Sequence, residues 1–290
     1  MQPYRRHIVF FLAATLGLGV MWSIAGEAPP GMVSIPAGKF HLGCPSPRTA
    51  DCRDNQRPAR EVYLDAFYLD VHEVTVDAYA QCVKTRTCRE PANKKPPGLD
   101  AKWARYDFAY NWGKFRRGKH PVNGVTWNDA EAYCKWRGKR LPTEAEFEKA
   151  LRGTLEKKQF PWGDEPTPPR DFGNFADERA KRKFSFWHVF QGYDDGYVGT
   201  APVCSFKKNP YGLCDIAGNV WEWCADSYQA DWYQRLPEKN PVNRAQVGVR
   251  VVRGGGFRGT PNSAYAHERV GLPADEYVSS RGFRCAKSLN

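Results

Sequence analysis

The sequence predicts one loop-rich domain that combines short strands with short helices. Its 290 residues are generous for one domain and short for two large ones. Aromatic residues make up 14% of the chain, and 26 Gly and 22 Pro interrupt it frequently. This composition is typical of a domain held together by many small aromatic clusters rather than of a bundle of long helices.

Residues 1–26 predict a secretory signal. A basic stretch at residues 4–7 precedes an apolar run from Ile8 to Ala25 that ends in small residues. An uncleaved membrane anchor is the alternative interpretation, because the run is about 18 residues long. Either way, the sequence predicts export to the periplasm or the extracellular space, with membrane contact only through this segment.

Export would make the nine cysteines available for disulfides. Two pairs lie close in sequence and are predicted to close short loops: Cys44 with Cys52, and Cys82 with Cys88. Cys204, Cys214 and Cys224 form an odd set. A Cys204–Cys214 bridge would leave Cys224 free or paired with another chain, and the sequence does not decide between these.

The first third of the domain predicts strands followed by a helix. Residues 31–43 alternate apolar and small residues between turn signals, which indicates a hairpin. Residues 60–70 predict a second strand. Thr75 is a good N-cap, and Tyr79 and Val83 follow it at helical spacing, so a helix is expected to begin there.

Two further helices follow in the middle of the chain. Thr126 can cap the first of them, and Gly138 can end it with a positive φ. The second has Thr143 and Glu146 at the spacing of a capping box, and Gly153 supplies its end.

Regular structure is expected to be sparse elsewhere. Residues 89–119 have no clear period and predict a long irregular insertion. From Phe160 onward Trp, Gly, Asp and Pro dominate. Residues 250–257 predict a strand that enters a Gly-rich turn, and residues 280–286 predict the final strand.

The most informative segment is Asp-Ile-Ala-Gly-Asn-Val-Trp-Glu-Trp at residues 215–223. It is too polar and Gly-interrupted for an ordinary core strand, yet too aromatic for a plain surface loop. It resembles the GNxWEW core of the formylglycine-generating enzyme, or sulfatase-modifying-factor, family. Further motifs of that family occur in the same order, at residues 73–75, 121–130, 138–146, 160–163, 253–255 and 282–284.

This resemblance implies a single compact α+β domain of the sulfatase-modifying-factor type over residues 31–288. The implied fold is C-type lectin-like and contains little regular secondary structure. The resemblance also implies a disulfide between Cys134 and Cys285, because family members are bridged at the matching positions.

The resemblance further implies structural calcium, an ion that takes six to eight oxygen ligands. The family's ligand positions match two sets here: Asn174, Phe175, Asp195 and Tyr197; and Asp215, Gly218, Val220 and Glu222. Phe175, Tyr197, Gly218 and Val220 would contribute backbone carbonyls. The alternative is that these acidic residues cap turns and bind no metal.

The chain departs from the family at the redox centre. Copper-dependent members hold Cu(I) with two thiolates, which are soft ligands suited to that ion. Alignment by length puts Gly259 and Ala264 at those two positions, and Gly256 at a family serine. We therefore expect neither copper nor oxidation of cysteine to formylglycine.

Tyr265, His267 and Glu268 are the candidate catalytic residues that remain, because they lie in the segment that forms the active groove in relatives. A histidine near its working pKa could perform acid–base chemistry with them. The alternative is that these residues line a binding groove or simply pack. No HxxxH or HExxH spacing indicates a metal-binding histidine pair.

The net charge of +11 indicates either a solvated basic surface or attraction to an acidic partner. Nucleic acid is not expected, because no nucleic-acid-binding module is recognisable. Two functions remain. The preferred one is an exported, calcium-binding accessory module for a peptide, protein or acidic glycan. The other is an oxidoreductase that matures a peptide or protein without the cysteine pair.

Overall fold

A central four-stranded sheet and two smaller sheets organise the domain, as seen in a computed structural model that describes residues 27–46, 52–97 and 100–289. The predicted signal at residues 1–26 lies outside the described residues. The strands are β1 Met32–Ile35, β2 Gly38–Leu42, β3 Arg60–Leu64, β4 Phe67–Asp70, β5 Trp221–Ser227, β6 Val249–Arg253, β7 Val270–Pro273, β8 Arg281–Gly282 and β9 Ala286–Ser288.

The α-helices are α1 Val76–Lys84, α2 Trp127–Trp136, α3 Glu144–Arg152 and α4 Glu178–Lys183. Short 3₁₀ helices occur at Asp54–Gln56, Ala101–Ala109, Trp232–Gln234 and Pro261–Ala264. Helix accounts for 20% of the residues and strand for 18%. Both values are below those of a typical globular domain, so the predicted α+β fold with little regular structure is confirmed.

The three helix starts predicted from capping residues are confirmed. Thr75 Oγ1 accepts a hydrogen bond from the Ala78 N–H at 3.2 Å at the start of α1. Thr126 and Thr143 both form capping boxes, at the starts of α2 and α3. Gly153 follows α3 with a φ of +59°, a conformation that glycine adopts without strain.

The predicted hairpin at residues 31–43 is wrong in its pairing. β1 pairs antiparallel with β4, and β2 pairs antiparallel with β3. A β1–β2 hairpin would turn at Pro36-Ala37, which lacks the Asn or Gly that two-residue hairpin turns require. The two strands therefore enter different sheets.

Two predicted strands are each divided into two. Residues 60–70 form β3 and β4, and the last strand region forms β8 and β9. Each division marks a change of sheet: β8 pairs parallel with β5, whereas β9 pairs with β4 beside β1. The sequence shows the strand-forming residues but not this change of partner.

The expectation that residues 215–223 are not an ordinary core strand is wrong for their last part. β5 begins at Trp221 and lies inside the four-stranded sheet between β6 and β8. Glu222 and Trp223 are both buried, so neither face of the strand is solvated. The acidic residue is tolerated there because the buried Arg284 guanidinium pairs with it.

Three hydrophobic clusters form the core, and aromatic rings dominate two of them. One cluster includes Tyr79, Tyr133 and Phe283, whose rings contact each other. Another includes Tyr106 and Trp187, and it packs the insertion at residues 89–119 against the segment after α4. The small aromatic clusters predicted from composition are therefore present.

The disulfides are Cys44–Cys52, Cys82–Cys88, Cys134–Cys285 and Cys204–Cys214. The first three are the pairs that the sequence analysis expects. Cys224 stays a thiol and is fully buried in β5, so it is not accessible to a second chain. Within the described parts of the chain, no helix is both long enough and apolar enough to cross a bilayer.

Candidate functional site

The Gly-rich turn after β6 leads directly to Gly259 and Ala264, the two positions that the resemblance matches to the family's redox cysteines. Gly259 leaves no room for a side chain, because a Cβ there would lie 2.0 Å from Ser263 Oγ and 2.9 Å from the Gly256 carbonyl oxygen. Ala264 is only 2% exposed and belongs to the largest hydrophobic cluster. Neither position offers a side chain that can bind a metal.

A cavity of about 260 Å³ lies beside Gly259. Four parts of the chain line it: the insertion at residues 89–119, the first residue of β5, the turn after β6, and the approach to β8. The polar, charged and aromatic side chains that line it include Lys95, Tyr106, Tyr110, Trp221, Arg258, Glu276, Ser279 and Arg281. The insertion thus forms one wall of the cavity beside Gly259.

The sequence analysis did not find most of this lining. Trp221 was part of the GNxWEW motif, and Gly259 was located by alignment. Arg258 and Arg281 carried no signal, because no local pattern distinguishes them among 43 Lys and Arg residues. Tyr106 and Tyr110 lie in the insertion, and only the aromatic content of that segment could have drawn attention to them.

Tyr265 and His267 lie together, with ring centres 5.2 Å apart and planes inclined by 18°. Phe160 also contacts Tyr265, with ring centres 5.0 Å apart. His267 is buried and borders a separate cavity of about 250 Å³, whose polar lining includes Lys157 and Asp164.

Glu268 does not share this arrangement. Its Oε1 accepts a hydrogen bond from Arg53 Nη1 at 2.5 Å, and its Oε2 accepts one from Gln56 Nε2 at 2.7 Å. Burial raises the pKa of the Glu268 carboxyl, and the charges of Arg53 and Arg253 oppose that rise. The structure therefore brings Tyr265 and His267 together. The third candidate, Glu268, instead hydrogen-bonds to Arg53 and Gln56.

The first candidate calcium set centres on Asn174, which is fully buried. Its Nδ2 donates to the Gly199 carbonyl at 2.8 Å, while its Oδ1 accepts no hydrogen bond within the described structure. The Asp195 carboxylate accepts backbone N–H bonds from Phe175 and Tyr197, both at 2.8 Å. Burial, followed by the charge of Asp177, raises the pKa of Asp195 to about 7.

The second candidate set surrounds Asp215. Its Oδ2 accepts a hydrogen bond from the Cys204 N–H at 2.6 Å, and its buried Oδ1 has no partner among the described atoms. Both oxygens of Glu222 instead accept hydrogen bonds from Arg284, at 2.7 to 3.0 Å. Burial raises the pKa of both carboxyls, because Arg284 offsets only part of the desolvation.

Glu73 joins this second set although the sequence analysis did not assign it there. Its carboxylate accepts hydrogen bonds from Asn219 Nδ2 at 3.0 Å and from the Val220 N–H at 3.4 Å. The pKa of Glu73 is raised well above its ordinary value, first by burial and then by the charges of Asp215 and Glu222. Three buried carboxyls therefore lie near Arg284, and its guanidinium hydrogen-bonds to the Glu222 carboxylate alone among them.

The donor chemistry of both sets suits a hard cation that takes amide, carbonyl and carboxylate oxygens. Asn174 Oδ1 and Asp215 Oδ1 are buried acceptors that such an ion would satisfy. Among the described residues, no three His, Cys, Asp or Glu side chains cluster closely enough to hold a metal by themselves. Backbone carbonyls would therefore have to complete either site.

Comparison with known proteins agrees with the fold. Residues 22–289 match the family described as "Sulfatase-modifying factor enzyme 1-like domain". The chain is 35% identical to the formylglycine-generating enzyme of Thermomonospora curvata, over 90% of this chain and 94% of the relative. It is 32% identical to the "Inactive C-alpha-formylglycine-generating enzyme 2" of Bos taurus, over 88% of this chain and 87% of that protein.

Among solved structures, PvdO from Pseudomonas aeruginosa superposes with a TM-score of 0.69 at 24% identity, covering 89% of this chain and 94% of that one. Treponema denticola variable protein 1 superposes with a TM-score of 0.58 at 23% identity, covering 89% of this chain and 95% of that one. At this level of identity, both likenesses concern the fold alone.

Proposed function

The chain belongs to the sulfatase-modifying-factor, or formylglycine-generating enzyme, family, and we propose that within it this protein acts as an exported binding or accessory domain. Its partner would be a peptide, a protein or an acidic glycan. The observation that carries the proposal is the combination of a cavity beside Gly259 with the absence of a thiolate at both positions that the family resemblance matches to the redox cysteines. Gly259 lines that cavity without a side chain, and Ala264 is enclosed in the core.

The cysteines elsewhere do not replace the missing pair. Eight of the nine are in disulfides, and the thiol of Cys224 is fully buried. Burial raises the pKa of Cys224 well above its ordinary value, and nearby Asp226 and Glu144 add to the rise. Because a thiolate is the form that binds Cu(I), this thiol is poorly suited to the role.

A binding role is supported by the character of the cavity and of the whole chain. Aromatic rings and guanidinium groups line the cavity, and both are enriched at recognition surfaces. The net charge of +11 would attract an acidic partner over long range. The four disulfides are compatible with an oxidising compartment, which supports export.

We test the lack of redox chemistry by metal analysis of the protein purified from an oxidising compartment. Elemental mass spectrometry is expected to find calcium but neither copper nor iron at stoichiometric amounts. A cysteine-containing peptide incubated with the protein, copper and oxygen should form no formylglycine, as judged by the mass of the reduced product; disulfide formation by copper and oxygen alone is measured in a control without protein. Stoichiometric copper together with formylglycine formation that depends on the protein would overturn the proposal.

Calcium would be structural in this function, holding the loops that carry the two ligand sets. Asn174 and Asp195 would bind one ion with the carbonyls of Phe175 and Tyr197. Asp215 and Glu222 would bind the other with the carbonyls of Gly218 and Val220. The partnerless Asn174 Oδ1 and Asp215 Oδ1 support this assignment. The bound ion supplies positive charge to buried carboxylates and imposes no redox step.

Removal of calcium tests this part of the proposal. A chelator should lower the free energy of unfolding by roughly 3 kcal/mol per site when calcium had been present at a hundredfold excess over its Kd. Asn174→Ala and Asp215→Ala should each lose one ion per chain, whereas Asp164→Ala, at an exposed position, should lose none. If the chelator leaves the free energy of unfolding unchanged and the purified protein contains no calcium, these acidic residues only cap turns.

The oxidoreductase alternative keeps one observation in its favour: His267 borders its own cavity with Lys157 and Asp164. Its test is a comparison of His267→Ala with the natural sequence. Loss of a bound iron or copper ion in this variant would favour the oxidoreductase. Retention of cellular function in His267→Ala, with loss in Trp221→Ala, would favour the binding role.

A further inference from the structure

A third cavity, of about 520 Å³, shares no lining residue with the cavities beside Gly259 and His267. Its walls include residues 64–67, helix α2, the start of α3 and the segment that leads into β6. We call it the α2 cavity. Part of the lining is apolar and includes Leu141 and Val242, whereas other parts carry charged side chains. A ligand that fits it must therefore combine apolar and polar groups.

Each carboxylate among the described residues that line the α2 cavity already has a basic partner. The pairs and their N–O distances are Asp65 with Lys239 at 3.2 Å, Glu131 with Lys135 at 3.0 Å, and Glu146 with Arg140 at 2.7 Å. The last pair is bidentate, because Arg140 donates to both oxygens of Glu146. These carboxylates are therefore balanced by their own partners.

Arg250 also lines the α2 cavity, and no carboxylate of the described residues forms an ion pair with it. Its Nη1 donates to the Ala225 carbonyl at 3.3 Å and to Ser227 Oγ at 3.1 Å. Its Nε is buried and has no hydrogen-bond acceptor within the described structure. A buried donor without an acceptor is uncommon in a folded protein, so this guanidinium group can still take up an acceptor and a negative charge.

The Arg250 guanidinium is held in place before any ligand binds. Its central carbon lies 3.9 Å from the centre of the Trp127 ring, within cation–π distance. Trp127 is itself buried at the start of α2, and its Nε1 donates to the Cys224 carbonyl at 2.7 Å. Because the guanidinium is already ordered, little conformational entropy is lost when it binds an anion.

We propose that the α2 cavity binds an acidic peptide segment of the partner, through a carboxylate that accepts hydrogen bonds from Arg250. This rests on the proposed binding function and names the surface and the chemical group by which the partner is held. A guanidinium group donates to a carboxylate through a charge-assisted hydrogen bond. The apolar lining at Leu141 and Val242 favours a peptide, because an apolar side chain next to the acidic one would contact it, whereas a sugar acid presents hydroxyl groups. A volume of about 520 Å³ is within the usual range for a ligand site, roughly 300–1,000 Å³.

The proposal is tested by titrating the protein, purified from an oxidising compartment, with N-acetyl-leucyl-glutamyl amide. The matching glutaminyl peptide and methyl glucuronide are titrated in the same way, at constant ionic strength so that the screening of surface charges stays the same. NMR shifts of the Arg250 Nε–H and of the Trp127 indole N–H report binding in the cavity itself. We expect saturable shifts with the glutamyl peptide and about tenfold or more weaker binding of the glutaminyl peptide, because the latter lacks the charge.

A first pair of variants separates recognition by Arg250 from the effect of net charge. Arg250→Leu should weaken the affinity for the glutamyl peptide about tenfold or more, because the charge-assisted hydrogen bond is lost. Arg116→Leu is the matched control. It also removes one positive charge and an arginine that stacks on an aromatic ring, that of Phe115, but it does not line the α2 cavity. Its affinity should be unchanged.

A second pair of variants keeps the proposal testable if Arg250→Leu does not fold. Arg244 is exposed and lines the cavity, and within the described structure it makes no hydrogen bond or ion pair, so Arg244→Glu should fold. The new carboxylate should repel the glutamyl peptide and weaken its binding about threefold or more. Lys84→Glu makes the same change of charge at the exposed end of α1 and should leave the affinity unchanged.

Several outcomes overturn the proposal. The glutamyl peptide leaves the two signals unshifted, or the glutaminyl peptide binds equally well, or Arg116→Leu weakens binding as much as Arg250→Leu. If Arg250→Leu does not fold, equal affinities in Arg244→Glu and Lys84→Glu overturn it instead. Tighter binding of methyl glucuronide than of the glutamyl peptide overturns the assignment to a peptide and indicates an acidic glycan.

This result is separable from the proposed function. Absence of peptide binding in a protein that holds calcium and no copper removes only the peptide site in the α2 cavity. Binding of the glutamyl peptide by a protein that also holds copper and forms formylglycine keeps the α2 cavity site and removes the proposed function.

Discussion

Glu148 is a single buried carboxylate that holds two guanidinium groups. Arg152 Nε donates to its Oε1 at 2.9 Å, and Arg253 Nη2 donates to its Oε2. The Gly43 N–H also donates to Oε1, at 2.9 Å. All three charged side chains are at most 2% exposed, so this network joins α3, β6 and the end of β2 without solvent.

Glu148→Ala is expected to lower the free energy of unfolding by roughly 3–5 kcal/mol, because it leaves the buried Arg152 guanidinium without its carboxylate and Arg253 with only the Glu144 carboxylate at 3.7 Å. Urea unfolding measures the change. Glu131→Ala is the matched control: Glu131 pairs with Lys135 at the surface of α2, and its loss should cost about 1 kcal/mol or less. Equal losses in the two variants would mean that burial does not distinguish the pairs.

Asp226 is expected to make the free energy of unfolding depend on pH. Its carboxylate is buried and accepts backbone N–H bonds from Asn243 at 2.8 Å and Glu144 at 2.7 Å. Burial, with the charge of Glu144, raises the pKa of Asp226 to about 7. Between pH of about 4 and about 7 the folded state keeps a proton that the unfolded chain has released, so this group's contribution to stability falls as the pH rises.

Asp226→Asn should therefore flatten the decrease in unfolding free energy between pH of about 4 and about 7, even if the variant is less stable throughout. Chemical unfolding at a series of pH values measures the slope. Asp231→Asn is the control. Asp231 is an exposed residue immediately before the 3₁₀ helix Trp232–Gln234, and its substitution should leave the slope unchanged. If Asp226→Asn shows the same change of unfolding free energy with pH as the natural sequence, the raised pKa of Asp226 is contradicted.

The residues of the candidate site differ in how well the sequence predicts them. Gly259 and Ala264 could be located because they lie at fixed spacing from recognisable motifs. Arg258 and Arg281 could not, because their position at one cavity depends on two distant segments of the chain meeting there. The sequence also does not show that the His267 and Glu268 side chains lie in different environments. Adjacent residues can point in different directions, and only the packed structure decides which environment each one enters.

At the scale of elements, local signals predicted well and long-range pairing did not. The capping residues Thr75, Thr126 and Thr143 fix helix starts through bonds within one turn, so the sequence contains the whole interaction. The partner of β1 depends on residues that lie more than thirty positions away, and nothing in residues 31–43 specifies it. The hairpin prediction was wrong for this reason.

The insertion at residues 89–119 is held to the domain by Asn123. Its Nδ2 donates to the carbonyls of Ala109 at 2.8 Å and Ser279 at 2.5 Å, and its Oδ1 accepts the Asn111 N–H at 2.9 Å. Ala109 and Asn111 belong to the insertion, whereas Ser279 belongs to the opposite side of the cavity. One fully buried amide thus fixes the distance between two walls of the cavity.

Asn123→Ala should lower the free energy of unfolding by roughly 3 kcal/mol, because it leaves several buried backbone groups without partners. It should also speed trypsin cleavage within residues 89–119 under native conditions, measured by mass spectrometry of the fragments. Asn240→Ala, which removes exposed bonds to Asp65 at a residue with a φ of +46°, is the control: it should lower the free energy of unfolding by only about 1 kcal/mol and leave the cleavage rate unchanged. If trypsin cleaves Asn123→Ala as slowly as the natural sequence, the Tyr106 aromatic cluster rather than Asn123 holds the insertion in place.

At the scale of the whole molecule, the Cys134–Cys285 bridge joins residues 151 positions apart. Cys82–Cys88 spans only 6 positions. In the chain-entropy account of disulfides, a bridge stabilises mainly by restricting the unfolded chain, and more so for a longer loop. The long bridge is therefore the one that contributes most to holding the domain together.

Replacing both Cys134 and Cys285 by Ala should lower the free energy of unfolding by about 5 kcal/mol, against about 2 kcal/mol for the Cys82 and Cys88 pair. Unfolding under oxidising conditions measures both, with mass spectrometry to verify that the remaining bridges are intact. Similar losses in the two double variants would indicate that strain or packing, rather than loop length, sets the stabilisation.

The buried Arg284 side chain has a consequence for synthesis. Its guanidinium donates to the carbonyls of Asp70 and Val71, to those of Cys214 and Asp215, and to the Glu222 carboxylate. Strand β9, which follows it, completes the sheet that begins with β1. A ribosome makes the chain from the other end, so the earliest and middle parts of the domain wait for its last residues before they can close. Until then the Glu222 carboxylate lacks its guanidinium partner, and the edge of β4 that β9 covers stays open to pairing with another strand.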